Sequence, residues 1–178
     1  VSSGAGLGAS LAIFYNLPMF YVQLFAFSGG ILAVLCVSMV ASRSRNLDPI
    51  LVLVLSGIAI GSLLGAGISL LKILADPFTQ LPSITFWLLG SFTAVGVKEL
   101  SQLTPILILG ILPLFLLRWR LNLLALEEDE AKSLGIPIQR TRYILIIFTT
   151  LCTASAVSIT GIIGWVGLLV PHIARLLV

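Results

Sequence analysis

The sequence predicts an all-α integral membrane protein, a polytopic bundle of helices, on three observations. Of its 178 residues, 58% are hydrophobic and 10% charged, against about 25% charged in ordinary soluble domains. Residues 1–42 hold no charge, and neither do residues 143–174 with His172 neutral. The ten basic residues gather where they flank apolar runs, the pattern by which loop Lys and Arg set membrane orientation. Ten basic and seven acidic residues cannot cover a soluble globule of this size. That excludes a soluble enzyme, a disordered segment and a disulfide scaffold. The small net charge of +3 likewise gives no surface for nucleic acid. A bilayer core of about 30 Å needs about 20 apolar residues per helix, so the chain supports about five or six crossings.

The elements follow in order. Residues 4–15 form a short run rich in Gly, Ala and Ser, closed by a turn at Asn16 and Pro18. Met19–Ala41 is uncharged and long enough for one crossing. Arg43, Arg45 and Asp48 mark a polar loop closed by Pro49, a good first-turn residue for the next helix. Ile50–Leu71 is the cleanest span, and Asp76-Pro77 ends it with a turn signal.

The stretch 81–97 reads as a crossing or as a half-helix that returns to its own side, and the basic residues decide. With the Arg43 and Arg45 loop taken as cytoplasmic, a crossing at 81–97 would put Arg118, Arg120, Lys132, Arg140 and Arg142 outside. A half-helix puts them inside and leaves only Lys72 and Lys98 near the outer face. The positive-inside rule favours the half-helix.

Gln102–Leu117 then crosses back, with Pro105 near its start and Pro113 able to kink it. Residues 118–142 form the only long polar segment. The uncharged run 143–174 would be about 48 Å long as one helix, too long for a single crossing. Gly161, Gly164 and Gly167 supply a break, giving helices over about 143–160 and 165–178. Cys36 and Cys152 lie inside apolar runs, which argues against a structural disulfide. The opening Val1-Ser2-Ser3-Gly4 lacks a signal peptide's basic region and cleavage site. Both ends look cut, so a single transmembrane domain truncated at each end, a piece of something longer, is expected.

Three groups of residues stand out. Ser56, Gly57, Gly61 and Gly65 place small residues at helical spacing, which lets another backbone approach closely. That face serves simple packing, or it lines a subunit interface or pathway. In residues 121–137 four acids, Glu127 to Glu130, fall in the first half of a short helix and Lys132 near its end, as the macrodipole favours. Asn122 is a candidate N-cap, Gly135 fits the residue after the C-cap, and Pro137 follows. This amphipathic helix rests on lipid or docks a cytoplasmic partner. Its acidic face argues against lipid, because the cytoplasmic leaflet attracts basic segments. Catalytic signals are weak: one histidine builds no zinc site, and Gly67-Ile68-Ser69 only superficially resembles a nucleophile triplet. No ionisable residue lies mid-span, so proton relays and ion-coupling carboxylates are missing. Energy for uphill movement would come from another subunit.

Several segments together resemble the iron-siderophore, haem and cobalamin permease family of bacterial ABC importers (FecCD/BtuC-like). They are Val1-Ser2-Ser3-Gly4-Ala5-Gly6-Leu7-Gly8-Ala9, Leu55-Ser56-Gly57-Ile58-Ala59, and Phe86-Trp87-Leu88-Leu89-Gly90-Ser91-Phe92. Asn122–Gly135 resembles the family's coupling loop, and Gly161–Arg175 its "GxIGFVGLxVPHxxR" stretch. Ala125-Leu126-Glu127 departs from the frequent Leu-Gly-Glu and leaves Glu127-Glu128 in place.

The resemblance implies the type II ABC importer permease fold, with this chain as helices three to eight of ten, a periplasmic half-helix and a cytoplasmic coupling helix within 118–142. It implies a dimer of permeases around a pathway, two cytoplasmic ATP-binding subunits, an extracytoplasmic substrate-binding protein and a bacterial or archaeal plasma membrane. Leu126, Glu127, Glu128, Ala131, Leu134 and Gly135 would then fit the ATPase, and Leu47, Asp48, Pro49 and Ile50 would form the cytoplasmic gate. The helix with Ser56, Gly57, Gly61 and Gly65 would line the pathway or interface, and Trp87, Gly90 and Ser91 would face the binding protein. No cofactor, metal or catalytic residue is expected. The cargo would be a ferric siderophore, haem or cobalamin, with an oxyanion such as molybdate as the alternative. A self-sufficient carrier or channel would leave the acidic loop helix without a job, and an intramembrane enzyme lacks its residues.

Overall fold

A computed structural model describes residues 1–43, 49–93, 95–119, 138–164 and 166–177. Among these residues the chain is all-helical, with no strand. In order, the helices are α1 (Ser2–Phe14), α2 (Met19–Arg43), α3 (Pro49–Leu74), α4 (Gln80–Leu89), α5 (Val97–Leu116), α6 (Ile138–Thr160) and α7 (Val166–Leu177). Helix α1 is the hub and packs against α2, α3, α4 and α6, while α5 packs against α6.

Residue size explains why the shortest apolar run ends up at the centre. Gly4, Ala5, Gly6, Gly8, Ala9, Ser10 and Ala12 of α1 are all buried, and side chains this small let neighbouring helices close in from several directions. Gly4 lies under the carbonyl of Gly29, and Gly8 under that of Phe25, so closely that a Cβ at either position would collide with the α2 backbone. The resulting core is Ala5, Ala9, Ala12, Val22 and Ala26, with Ile13, Leu17, Trp87 and Val157 packed on it. Large apolar residues point the other way: Met19, Phe20 and Leu24 of α2, Leu63 and Ile73 of α3, and Leu109 of α5 are exposed. In water this arrangement would be inside out. In a bilayer, lipid tails are as apolar as leucine, so small residues take the helix contacts and large ones meet lipid.

Among the described residues three helices are long and apolar enough to cross a membrane, over Met19–Arg43, Leu51–Leu74 and Thr141–Thr160. Helix α1 and the apolar part of α5, Leu103–Leu116, are shorter. The expected crossings thus divide into three full-length spans and shorter apolar helices beside them. At about 1.5 Å per residue, the 10 residues of α4 reach only about half of the bilayer core, as the half-helix reading requires.

The turns form where the residues demanded them. Helix α1 ends with Asn16 in the left-handed region at φ 51°. The Asn16 N–H donates to Ile13 O and the Leu17 N–H to Ala12 O, each at 2.9 Å, the paired bonds of a Schellman cap. Pro18 then starts α2, its carbonyl accepting from Tyr21 and Val22. After α3, Asp76 Oδ2 accepts from the Phe78 N–H, the Thr79 N–H and the Thr79 hydroxyl. Those bonds hold the Asp76 carboxyl below the usual carboxylate range, chiefly through the Thr79 hydroxyl.

Helix α5 begins at Val97 rather than Gln102, so Lys98 and Glu99 belong to its first turn. An open first turn accepts charged residues, because about four N–H groups there lack intrahelical partners anyway. Both Pro105 and Pro113 lie inside the helix. The break after α6 falls at Gly161, φ 72°, where the glycine run predicted it.

Candidate functional site

The small-residue face of α3 does not do what close helix packing requires. A Cβ on Gly57 or Gly65 would meet nothing within 4 Å, and one on Gly61 would meet only Ser3 Oγ, at 3.7 Å. Among the described residues of this chain no other backbone comes close to the Gly57, Gly61 and Gly65 stripe. Ile60 and Leu64 stand on the same side of α3, and the space in front of the glycines stays open.

That space is a crevice of about 270 Å³, walled by Ser3 and Gly4 of α1, Ala33 and Ser38 of α2, and Gly57 and Gly61 of α3. A second cleft of about 360 Å³ continues along α1 and α2 and shares Gly4, Ala33, Ile60 and Leu64 with it. Ser56 sits differently from the glycines. It is buried, its hydroxyl donates to Leu53 O at 3.1 Å, and it does not line the crevice. Gly65 also lies outside the crevice lining. Gly57 and Gly61 are the two of the four that line the crevice, while Gly65 faces open space beyond it.

The close glycine-to-backbone contact that Gly57, Gly61 and Gly65 lack is instead made by Gly4 and Gly8 of α1. The signal for it, Gly4-x3-Gly8, stands in the sequence. Spacing alone does not reveal it, because the run around it is too short to look like a membrane span.

Helix α4 is held at both ends. At its start Gln80 Nε2 donates to Phe14 O at 2.9 Å, and Gln80 Oε1 accepts from the Asp76 N–H at 3.1 Å. At its end Gly90 turns at φ 68°, and the Ser91 N–H donates to Thr160 O of α6 at 2.7 Å. Trp87 packs its side chain on the α1 core. Its Nε1 and Ser10 Oγ are buried without a hydrogen-bond partner among the described residues. Ser91 is exposed and pairs its hydroxyl with that of Thr93 at 2.6 Å. Trp87, Gly90 and Ser91, grouped in the sequence, are thus grouped at one joint in the fold.

The remaining expected residues divide differently. Pro49 and Ile50 open α3, while Leu47 and Asp48 lie outside the described residues. Leu126, Glu127, Glu128, Ala131, Leu134 and Gly135 lie outside them too. Among the described residues no group of His, Cys, Asp and Glu could hold a metal ion.

The chain is 39% identical, over all of its length, to the molybdate import system permease protein MolB of Haemophilus influenzae, covering 52% of that protein. It is 40% identical over 99% of its length to a probable iron chelatin transport system permease protein of Helicobacter pylori, again covering 52%. The cobalamin import system permease protein BtuC of Halobacterium salinarum is 35% identical over the whole chain and covered to 48%. The chain thus spans about half the length of the curated relatives it matches. A solved structure described as an inward-facing conformation of a metal-chelate type ABC transporter superposes with a TM-score of 0.91 at 36% identity, covering 99% of this chain and 56% of that one. The FecCD transport family model matches residues 1–178, and the chain belongs to that family.

Proposed function

We propose that this chain is part of the permease subunit of an ATP-driven importer that moves a metal chelate into the cell by alternating access. The observation that carries this reading is the superposition of nearly the whole chain on a metal-chelate type ABC transporter at a TM-score of 0.91. The crevice in front of Gly57 and Gly61 supports it, since an open, small-residue face gives a solute or a neighbouring helix room that a packed one would not.

In this reading two permease copies enclose the pathway in a bacterial or archaeal plasma membrane, each with an ATP-binding subunit on the cytoplasmic side. Leu126, Glu127, Glu128, Ala131, Leu134 and Gly135 dock that subunit, which performs all the hydrolysis; the permease is not an enzyme. Leu47, Asp48, Pro49 and Ile50 form the cytoplasmic gate at the start of α3. The segment of Trp87, Gly90 and Ser91 meets a substrate-binding protein on the outer side, where the half-helix α4 returns, through its exposed Ser91, with Trp87 and Gly90 packed behind it.

Mechanically, closure of the ATPase dimer pushes on the 118–142 segment, and the bundle passes the push to α3 through α1, which touches both α3 and α6. The cargo reading follows the iron chelatin and cobalamin relatives. A molybdate-like oxyanion is the second reading, favoured by 39% identity to a molybdate permease.

Uptake by the full-length protein reconstituted with its ATPase and binding protein tests the assignment. Replacing Glu127–Glu130 with alanines is expected to leave membrane insertion intact and cut uptake at least tenfold. Unchanged uptake would remove the docking role from these acids. Competition between ferric siderophore, haem, cobalamin and molybdate in the same assay decides the cargo.

A further inference from the structure

We propose that Gly90 and Gly161 form a rigid two-glycine joint that makes the half-helix α4 and the break between α6 and α7 move as one body. Both residues adopt left-handed backbone conformations, φ 68° and φ 72°, which side-chain-bearing residues adopt only at a cost. Each is also packed against the other's strand of chain. A Cβ on Gly161 would run into Trp87 O and lie 2.9 Å from Gly90 Cα, while one on Gly90 would lie 2.6 Å from Ile162 O.

The two turns interlock, and the Ser91 N–H to Thr160 O bond of 2.7 Å closes the joint. Gly164, three residues on, has open space around it and no left-handed turn. Of the described glycines at the break, Gly161 alone carries the constraint. An ordinary hinge keeps space for its backbone to turn, and this junction has none.

Helix α4 is anchored to α1 through Gln80 and Phe14 and to the top of α6 through the joint. Helix α7 leaves the joint with Leu169, Val170 and Leu176 exposed. A displacement of α4 is therefore delivered to the break after α6 at Gly161 rather than absorbed between them. That role in transport rests on the importer reading above. In that reading Gly161 is a positioning residue: it sets where α4 stands relative to the end of α6.

Hydrogen exchange at the Ser91 amide tests the joint, measured on the full-length protein in lipid nanodiscs with and without ATP and vanadate. The amide is expected to exchange at rates within about threefold in the two states. Gly161→Ala is expected to speed exchange at least tenfold, and Gly164→Ala to leave it unchanged. A tenfold rise in one nucleotide state would show that the junction opens as a hinge and would overturn the proposal. So would unchanged exchange in the Gly161→Ala protein. If that variant does not fold, the two-state comparison on the unaltered protein still decides. Uptake measured in parallel reads the importer assignment, so either claim can fail while the other stands.

Discussion

Gly8 and Gly57 sit in helices of similar apolar character and meet opposite surroundings. Gly8 lies against the Phe25 carbonyl, whereas Gly57 faces open space. Gly8→Ala is therefore expected to destabilise the protein by about 1–3 kcal/mol, the usual cost of forcing extra volume into a packed contact. Gly57→Ala should be neutral or stabilising by up to about 1 kcal/mol, since alanine favours the helix. Thermal unfolding midpoints in one detergent would separate the two, and equal losses would contradict the assignment of the tight contact to α1. The residues that make turns were legible one by one: Asn16-Pro18 and Asp76-Pro77 stop their helices because their local chemistry suffices. The role of a glycine was not, because identical spacing serves a contact in α1 and a crevice in α3, and only the partner helix distinguishes them. Asp76 adds a pH signature. Its carboxyl titrates below the usual range when folded, so its hold on the turn is complete above the unfolded value and is lost as pH falls through the folded one. The Thr79 amide proton is expected to titrate with a midpoint below about 3.9, the ordinary aspartate value, in an NMR pH series. A midpoint at or above that value would contradict the hydrogen bonds given to Asp76.

At the scale of elements, hydrophobic runs and charge placement fixed most helix positions. Helices α2, α3, α6 and α7 lie within a few residues of their expected ranges, because run length and flanking charge report directly on solvation by lipid. Helix α5 begins at Val97, five residues before the expected Gln102, because its first turn tolerates the charged pair Lys98-Glu99 that precedes the apolar run. The centrality of α1 could not be read from its sequence: a 13-residue helix of Gly, Ala and Ser looks like a weak span, and its position depends on what packs around it. The α3 crevice gives a prediction at this scale. Gly61→Leu would project into a space of about 270 Å³ rather than into a backbone. Stability in detergent should stay within about 1 kcal/mol of the unaltered protein, since the side chain enters a void, while uptake falls at least tenfold. A loss of folding instead would mean that the crevice is already filled in the full-length protein.

For the whole molecule, the inverted size pattern of the core explains both the membrane class and the fold. Small residues gather at α1 and large ones turn outward, so the bundle has little to hold it together in water and much to recommend it to lipid. The same architecture leaves no catalytic constellation among the described residues and puts the acidic segment after α5 as the chain's one long polar feature. We propose that this segment couples the permease to an ATPase. That coupling is tested most directly by purifying the full-length protein in mild detergent and identifying what copurifies by mass spectrometry. The comparison protein has residues 122–136 replaced by a Gly/Ser linker. An ATP-binding subunit is expected with the native segment, and at least a tenfold loss of it with the linker. Equal recovery from both proteins, or no ATPase from an intact native one, would contradict it.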